Sequence, residues 1–396
     1  MSGGSQQSSG YGDGYINDYG MSGSVSNTSS PTATISGGEG TDTLRVANYT
    51  DFSGLTITGV EILDGQGSRT TLTPAEIAAL GFSQVTNIVF ELAASGESGA
   101  TFTGADLSGD YDVLGSAQAD TISTNDADNT ITVSTGDTVD AGAGDDTIQA
   151  TISDYPADEG AMSANFYAVL QAELDGGAGQ DTLLLSSYIS SDIDISQATL
   201  RNIETVKVSD NGYDYNAKSL VLTAEQLAGL NTISGVDLVR LVKGGTIELG
   251  HLAALGLTSG KWNIADDSSY VINGTNTADT FVFTKGDVEV STGLGDDSFV
   301  VNENSTVTGA LDAGEGNDIL SIVSGDVDLS KLTITGIEKI IVSSNSLSMS
   351  QSQWDTLGSL VELSEEASTS FTLSLDEAGQ VTLAEDSVYA GLSGSV

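Results

Sequence analysis

Five segments of the chain satisfy the pattern x-G-x-G-x-D-x-U-x, with U apolar: residues 37–45, 141–149, 176–184, 292–300 and 313–321. The chemistry of such a pattern is that of a hard-cation site. Glycine at the second and fourth positions permits the positive φ of a tight turn and leaves carbonyls to point at an ion. Aspartate at the sixth position sets a carboxylate beside those carbonyls, so successive turns can offer several oxygens to one calcium ion. The eighth residue, which is Leu44, Ile148, Leu183, Phe299 or Leu320, begins an inward-facing strand.

Composition points the same way. The 396 residues carry 11 Lys and Arg against 56 Asp and Glu, a net charge of −45, with 48 Gly, no Cys and one His. A compact chain of that charge repels itself, and a cation is the obvious neutraliser; carboxylates select hard divalent ions, calcium above all. The lack of Cys excludes disulfides, a thiol nucleophile, Fe–S clusters and cysteine zinc sites, and His251 alone excludes histidine-clustered metal centres. So few basic residues argue against nucleic acid and against anionic lipid. An apolar fraction of 38% and a mean hydropathy of zero are enough to build a core. No apolar run is long enough for a transmembrane segment.

The five turns resemble the RTX (repeats-in-toxin, haemolysin-type) calcium-binding nonapeptide, GGxGxDxUx, and the degenerate GSAQADTIS at 115–123 and GTNTADTFV at 274–282 extend the resemblance. By position it implies metal-site residues Gly38, Gly40 and Asp42; Gly142, Gly144 and Asp146; Gly177, Gly179 and Asp181; Gly293, Gly295 and Asp297; and Gly314, Gly316 and Asp318. The degenerate copies add Asp120 and Asp279. Asp145 and Asp296, at the fifth position, are expected at the surface. Family sites form between neighbouring coils of a tandem array, whereas these copies are scattered along the chain. The pairs Asp120 with Asp146, and Asp279 with Asp297, are therefore expected to make the complete sites, with the copies at 37, 176 and 313 competent only if stacked on a neighbour. The bland reading is that some of these aspartates merely close turns through Asx hydrogen bonds.

The elements that must position these residues are short strands. Runs rich in Val, Ile, Leu and Thr are bounded by Gly, Asn and Asp. Phe281, Val290 and Phe299 lie nine residues apart, and Ile122, Ile131, Val139 and Ile148 lie nine, eight and nine apart. That step fits a coil of about two nonapeptides in which each strand points one apolar side chain inward. The expected fold is all-β: a parallel β-solenoid (β-roll or β-helix) with short helical turns. Helix-like phrases fall at 71–81, 221–230 and 348–358, the first with Thr73 as N-cap and Glu76 three residues on.

Repeats divide the chain into a flexible Gly/Ser/Tyr tail at 1–34, a long module at 35–114, a short RTX module at 115–150, and a long module with an insertion at 151–273. A second short module follows at 274–310 and a third long one at 311–396. Residues 1–33 show neither the basic nor the apolar region of a Sec-type signal, and Lys339 is the last basic residue before an acidic, Ser/Gly-rich stretch. The resemblance then implies type I secretion from a Gram-negative cell with an uncleaved C-terminal signal.

No catalytic constellation is apparent. His251, with Lys243 and Lys261 as its nearest basic companions, sits in the apolar phrase LGHLAALGL, and no GxSxG, HExxH or P-loop occurs. The expected function is a secreted, non-enzymatic calcium-binding protein that self-assembles as a homo-oligomer or filament in an extracellular matrix, biofilm or surface layer. The alternative is a calcium-dependent adhesin that binds a glycan or host surface.

Overall fold

The computed structural model describes residues 15–18, 21–23, 33–46, 50–51, 55–71, 81–92, 98–152, 168–187, 192–209, 219–251, 261–264, 266–302, 305–323, 325–343, 346–364 and 372–375. The chain forms two compact units, one of Met1–Met162, Ala168–Ile189 and Gln197–Tyr213, the other of Ser163–Tyr167, Ser190–Ser196 and Asp214–Val396. The boundary falls within the module read at 151–273.

The expected architecture is present: each unit is a parallel β-solenoid. In the first, one ladder runs Gln84–Glu91, Tyr111–Leu114, Thr130–Val133, Thr147–Ile152, Thr182–Ser187 and Thr205–Ser209. The second runs Thr101–Thr103, Thr121–Ser123, Thr138–Asp140, Glu173–Asp175 and Thr199–Arg201. In the second unit the two ladders are Leu238–Val242, Lys261–Ile264, Thr280–Phe283, Ser298–Val301, Ile319–Ile322, Lys339–Val342 and Val361–Leu363, and Gly245–Glu248, Ser269–Asn273, Gly286–Ser291, Val307–Asp312 and Leu332–Thr335. These ladders are parallel throughout. Each turn of the chain therefore lays one strand on each ladder before climbing to the next coil.

The side chains placed inward by the nine-residue step fill the space between ladders. Ile122, Ile131, Val139 and Ile148 are buried, as are Phe281, Val290 and Phe299. Register stacks like on like: Ile131 faces Ile148, Ile148 faces Leu183 and Leu183 faces Val206, all without exposure. In the second unit Phe281 lies over Phe299 with ring centroids 6.0 Å apart, and Phe283 stacks at 6.2 and 6.4 Å from them. Each such buried side chain contributes about 1.5–3 kcal/mol, so the spine of every coil is held by its neighbours rather than by itself.

The helix-like phrases at 221–230 and 348–358 each hold a short helix. Ala224–Ala228 is opened by a capping box between Thr223 and Gln226, and Gln351–Leu357 by one between Ser350 and Gln353. The two glutamines also tie each helix to the adjacent coil: Gln226 Nε2 donates to Ile195 O at 2.6 Å, and Gln353 Nε2 to Leu329 O and Leu332 O at 2.7 and 2.6 Å. Thr73 and Glu76 lie outside the described residues. Within the segment read as a flexible tail, Tyr15–Asp18 and Met21–Gly23 form an antiparallel hairpin whose first strand pairs with Thr43–Arg45. Among the described residues no helix is long and apolar enough to cross a membrane.

Candidate metal centre

The glycine turns stack directly on one another. Gly142, Gly144, Gly177, Gly179, Gly293, Gly295 and Gly314 all have positive φ, as do Gly38 and Gly40. A Cβ on Gly177 would lie 1.9 Å from Gly142 O, and one on Gly314 would lie 2.0 Å from Gly293 O. Only glycine allows so close an approach. The stacked turns are joined by main-chain bonds: Ala178 N donates to Gly142 O and Glu315 N to Gly293 O, at 3.0 and 2.9 Å. Each of those two carbonyls thus accepts one bond from a neighbouring coil and keeps a second lone pair.

The sixth-position aspartates point inward beneath these turns. Asp42, Asp120, Asp146, Asp181, Asp279, Asp297 and Asp318 are all buried, the least so Asp279 at 6% exposure. The fifth-position Asp145 and Asp296 are exposed, as expected; they accept the N–H groups of Gln180 and Asn317 at 2.9 and 3.0 Å.

The buried carboxylates form columns in which each accepts the main-chain N–H of the coil before it. In the first unit Asn129 N donates to Asp146 Oδ1 at 2.7 Å and Asp146 N to Asp181 Oδ1 at 2.8 Å. In the second, Asp279 N donates to Asp297 Oδ1 and Asp297 N to Asp318 Oδ1, both at 2.7 Å. The copies at 176 and 313 are therefore not isolated. They stack on those at 141 and 292, because the intervening 35 and 21 residues amount to one coil each.

The expected pair Asp120 with Asp146 is not formed. Asp120 N donates to Asp137 Oδ1 at 2.7 Å, one 17-residue coil on. Asp146 follows a further half coil and so precedes a strand of the opposite ladder. Asp279 and Asp297 do share a column.

Hydrogen bonding separates two kinds of aspartate. In the degenerate turn at 115–120, Asp120 Oδ2 accepts Ser116 N–H at 2.5 Å, while Oδ1 accepts Ala100 N–H and the Ser116 hydroxyl. Asp137 is held likewise by Ser134 N–H at 2.7 Å, and Asp279 Oδ2 by Thr275 N–H at 2.7 Å. Here the turn-closing reading describes the observed bonds. In the Gly-x-Gly turns the left-handed glycines replace those local donors, and Oδ2 of Asp146, Asp181, Asp297 and Asp318 is buried with no hydrogen-bond partner. A buried polar group left unpaired costs about 1–3 kcal/mol, and more when charged. Burial, reinforced by the charges of Asp181, Asp128 and Asp145, pushes the Asp146 carboxyl up to about 7. Burial also raises Asp181 and Asp318; Glu204 adds repulsion at the first, and Asp297 followed by Glu338 at the second.

Hard oxygens, negative charge and unpartnered buried carboxylate atoms are a donor set that fits a divalent oxygen-seeking cation. Among the described residues no three acidic or histidine side chains converge on one point. A cation here would draw on one or two carboxylates of a column together with main-chain oxygens.

Sequence reasoning missed five residues of these columns. Asn129 and Asp137 stand at the sixth position of turns without the two glycines. Glu61, Glu204 and Glu338 end the columns: their Oε2 atoms accept the N–H groups of Asp42, Asp181 and Asp318 at 3.0, 2.8 and 2.8 Å. The signal was present as the phrases VEIL, IETV and IEKI, which follow their aspartates by 19, 23 and 20 residues. Lys243 Nζ, by contrast, is committed to Ser196 O at 2.8 Å.

Comparison with protein-family models, with curated proteins and with solved structures finds no match to this chain.

Proposed function

We propose that the chain is a secreted, non-enzymatic calcium-binding protein of the RTX kind, a structural component that folds and self-assembles with calcium in an extracellular matrix, filament or surface layer. The observation that carries this reading is the unpartnered, buried Oδ2 of Asp146, Asp181, Asp297 and Asp318 beneath stacked Gly-x-Gly turns. Calcium takes six to eight oxygens in flexible geometry and offsets the charge of carboxylates that the fold otherwise buries at a cost. Binding only the folded coil, it contributes its binding free energy to folding. With a net charge of −45, copies of the chain repel one another, and bound calcium lowers that barrier to association.

The test is far-UV circular dichroism and light scattering of the full chain in excess EGTA and in calcium on the order of 1 mM. More β structure and a higher urea midpoint are expected with calcium than in EGTA, and growing assemblies only with calcium. The same folded spectrum in EGTA would remove calcium-driven folding, and a calcium-bound chain that stays monomeric would favour the adhesin reading over the structural one.

A further inference from the structure

The last Gly/Asp turn of each long column, at Asp181 in the first unit and Asp318 in the second, is followed one coil on by a glutamate rather than another aspartate. Register places the glutamates where the next aspartate would stand. Thr182 pairs with Thr205 and Ile319 with Lys339, so Glu204 and Glu338 immediately precede the paired strands just as the aspartates do. Their main chains are clamped to the aspartates: Glu204 N and Thr205 N both donate to Asp181 O at 3.1 and 3.0 Å, and Glu338 N and Lys339 N to Asp318 O at 3.1 and 3.2 Å. Their carboxylates take the aspartate N–H through Oε2, the same bond an aspartate makes elsewhere in the column.

This leaves an electrostatic imbalance at both column ends. Asp181 and Asp318 are fully buried, each with an Oδ2 that has no partner, and each has a second carboxylate one step away. At the Asp318 end the basic residue next in sequence, Lys339, does not answer it: its Nζ pairs with Glu362 at 2.8 Å. We propose that Glu204 and Glu338 are cation-binding residues, completing with Asp181 and Asp318 a terminal divalent-cation site at the end of each long column. The glutamate, one methylene longer and partly or wholly accessible where the aspartate is buried, reaches back to the step from the solvent side. Glu61 Oε2 makes the same bond to Asp42 N–H, at 3.0 Å. The inference rests on the calcium reading above.

Calcium stoichiometry of the full chain, by equilibrium dialysis and calorimetry, tests it with Glu204→Gln and Glu338→Gln. Glutamine keeps an oxygen to accept the aspartate N–H but removes the charge. Each variant is expected to bind one calcium fewer than the parent, and the double variant two fewer, with Glu289→Gln, an exposed site on another ladder, unchanged. Unaltered number and affinity in the folded variants would overturn the inference and leave the calcium reading standing. A variant that remains unfolded at saturating calcium would also overturn it, since the glutamate would then be serving the fold rather than an ion. A parent chain that binds no calcium would overturn both.

Discussion

Asp297 donates its main-chain N–H to Asp318 Oδ1 at 2.7 Å across 21 residues, while Asp318 Oδ2, equally buried, has no partner. One carboxylate thus has two halves with different roles: one oxygen locks consecutive coils, and the other carries charge that the protein itself does not neutralise. Asp146 and Asp181 repeat the relationship in the other unit.

Stability without calcium should fall as pH rises. The folded-state carboxyls of Asp146, Asp181 and Asp318 are raised above the unfolded value of about 3.9, chiefly by burial, Asp146 to about 7. A raised group binds its proton more tightly in the folded state, so its contribution is fully present below the unfolded pKa and is lost as pH climbs through the folded one. Urea midpoints in EGTA are expected to be higher at pH 5 than at pH 7.5. Saturating calcium should reverse the trend, because the ion requires the deprotonated carboxylate. A midpoint in EGTA that rises over this interval would contradict the assignment.

Substitution by asparagine should distinguish the two kinds of aspartate. Asn129 already occupies the equivalent buried position in its own coil, where its Nδ2 donates to Tyr111 O, so Asp318→Asn, which removes an uncompensated charge but adds a buried amide N–H₂, is expected to change stability in EGTA by less than about 1 kcal/mol and to lose much of the calcium-induced gain. Asp120→Asn should lose about 1–3 kcal/mol with or without calcium, because an amide N–H₂ would replace an oxygen that now accepts Ser116 or Ala100 N–H. Denaturant titration of both variants in EGTA and in calcium checks the contrast; equal calcium dependence in the two would remove it.

Alanine at the stacked glycines should be far more damaging than at an open one. Gly177→Ala and Gly314→Ala combine φ of +89° and +83° with a Cβ 1.9 and 2.0 Å from a neighbouring carbonyl. Strain and overpacking together are expected to cost roughly 2–5 kcal/mol. Gly250→Ala, with no positive φ and nothing within 4 Å of its Cβ, should leave the thermal midpoint nearly unchanged. A shift at Gly250 comparable to that at Gly177 would show that stacking is not what those turns require.

The coil itself was legible in the residues. The steps of nine, eight and nine between Ile122, Ile131, Val139 and Ile148 mark the inward side of a solenoid, because each half coil lays down one short strand with an apolar side chain turned inward. The Gly-x-Gly-x-Asp turns likewise announce left-handed backbone, observed at Gly142 and Gly144. The helices at Ala224–Ala228 and Gln351–Leu357 were marked by Thr223 and Ser350, each followed three residues on by glutamine.

What the linear order withheld was which turns become neighbours. Asp146 stacks on Asp181 across 35 residues yet lies in a different column from Asp120, only 26 positions away by number. Neighbourhood depends on whole coils completed, and chain between two strands adds length without adding a coil. The turn itself sets whether Oδ2 is satisfied: that of Asp120 meets the N–H of Ser116 four residues earlier, whereas Gly314 stands at that place before Asp318, whose Oδ2 meets none. Tertiary structure decided that these carboxylates are buried and which coil's N–H meets Oδ1. The sequence by itself determined a β-solenoid with acid-bearing glycine turns, because period and turn chemistry are local. Only the stacked fold decided that Asp146 shares a column with Asp181, and Asp297 with Asp318, and that glutamates end those columns, because both follow from contacts between coils.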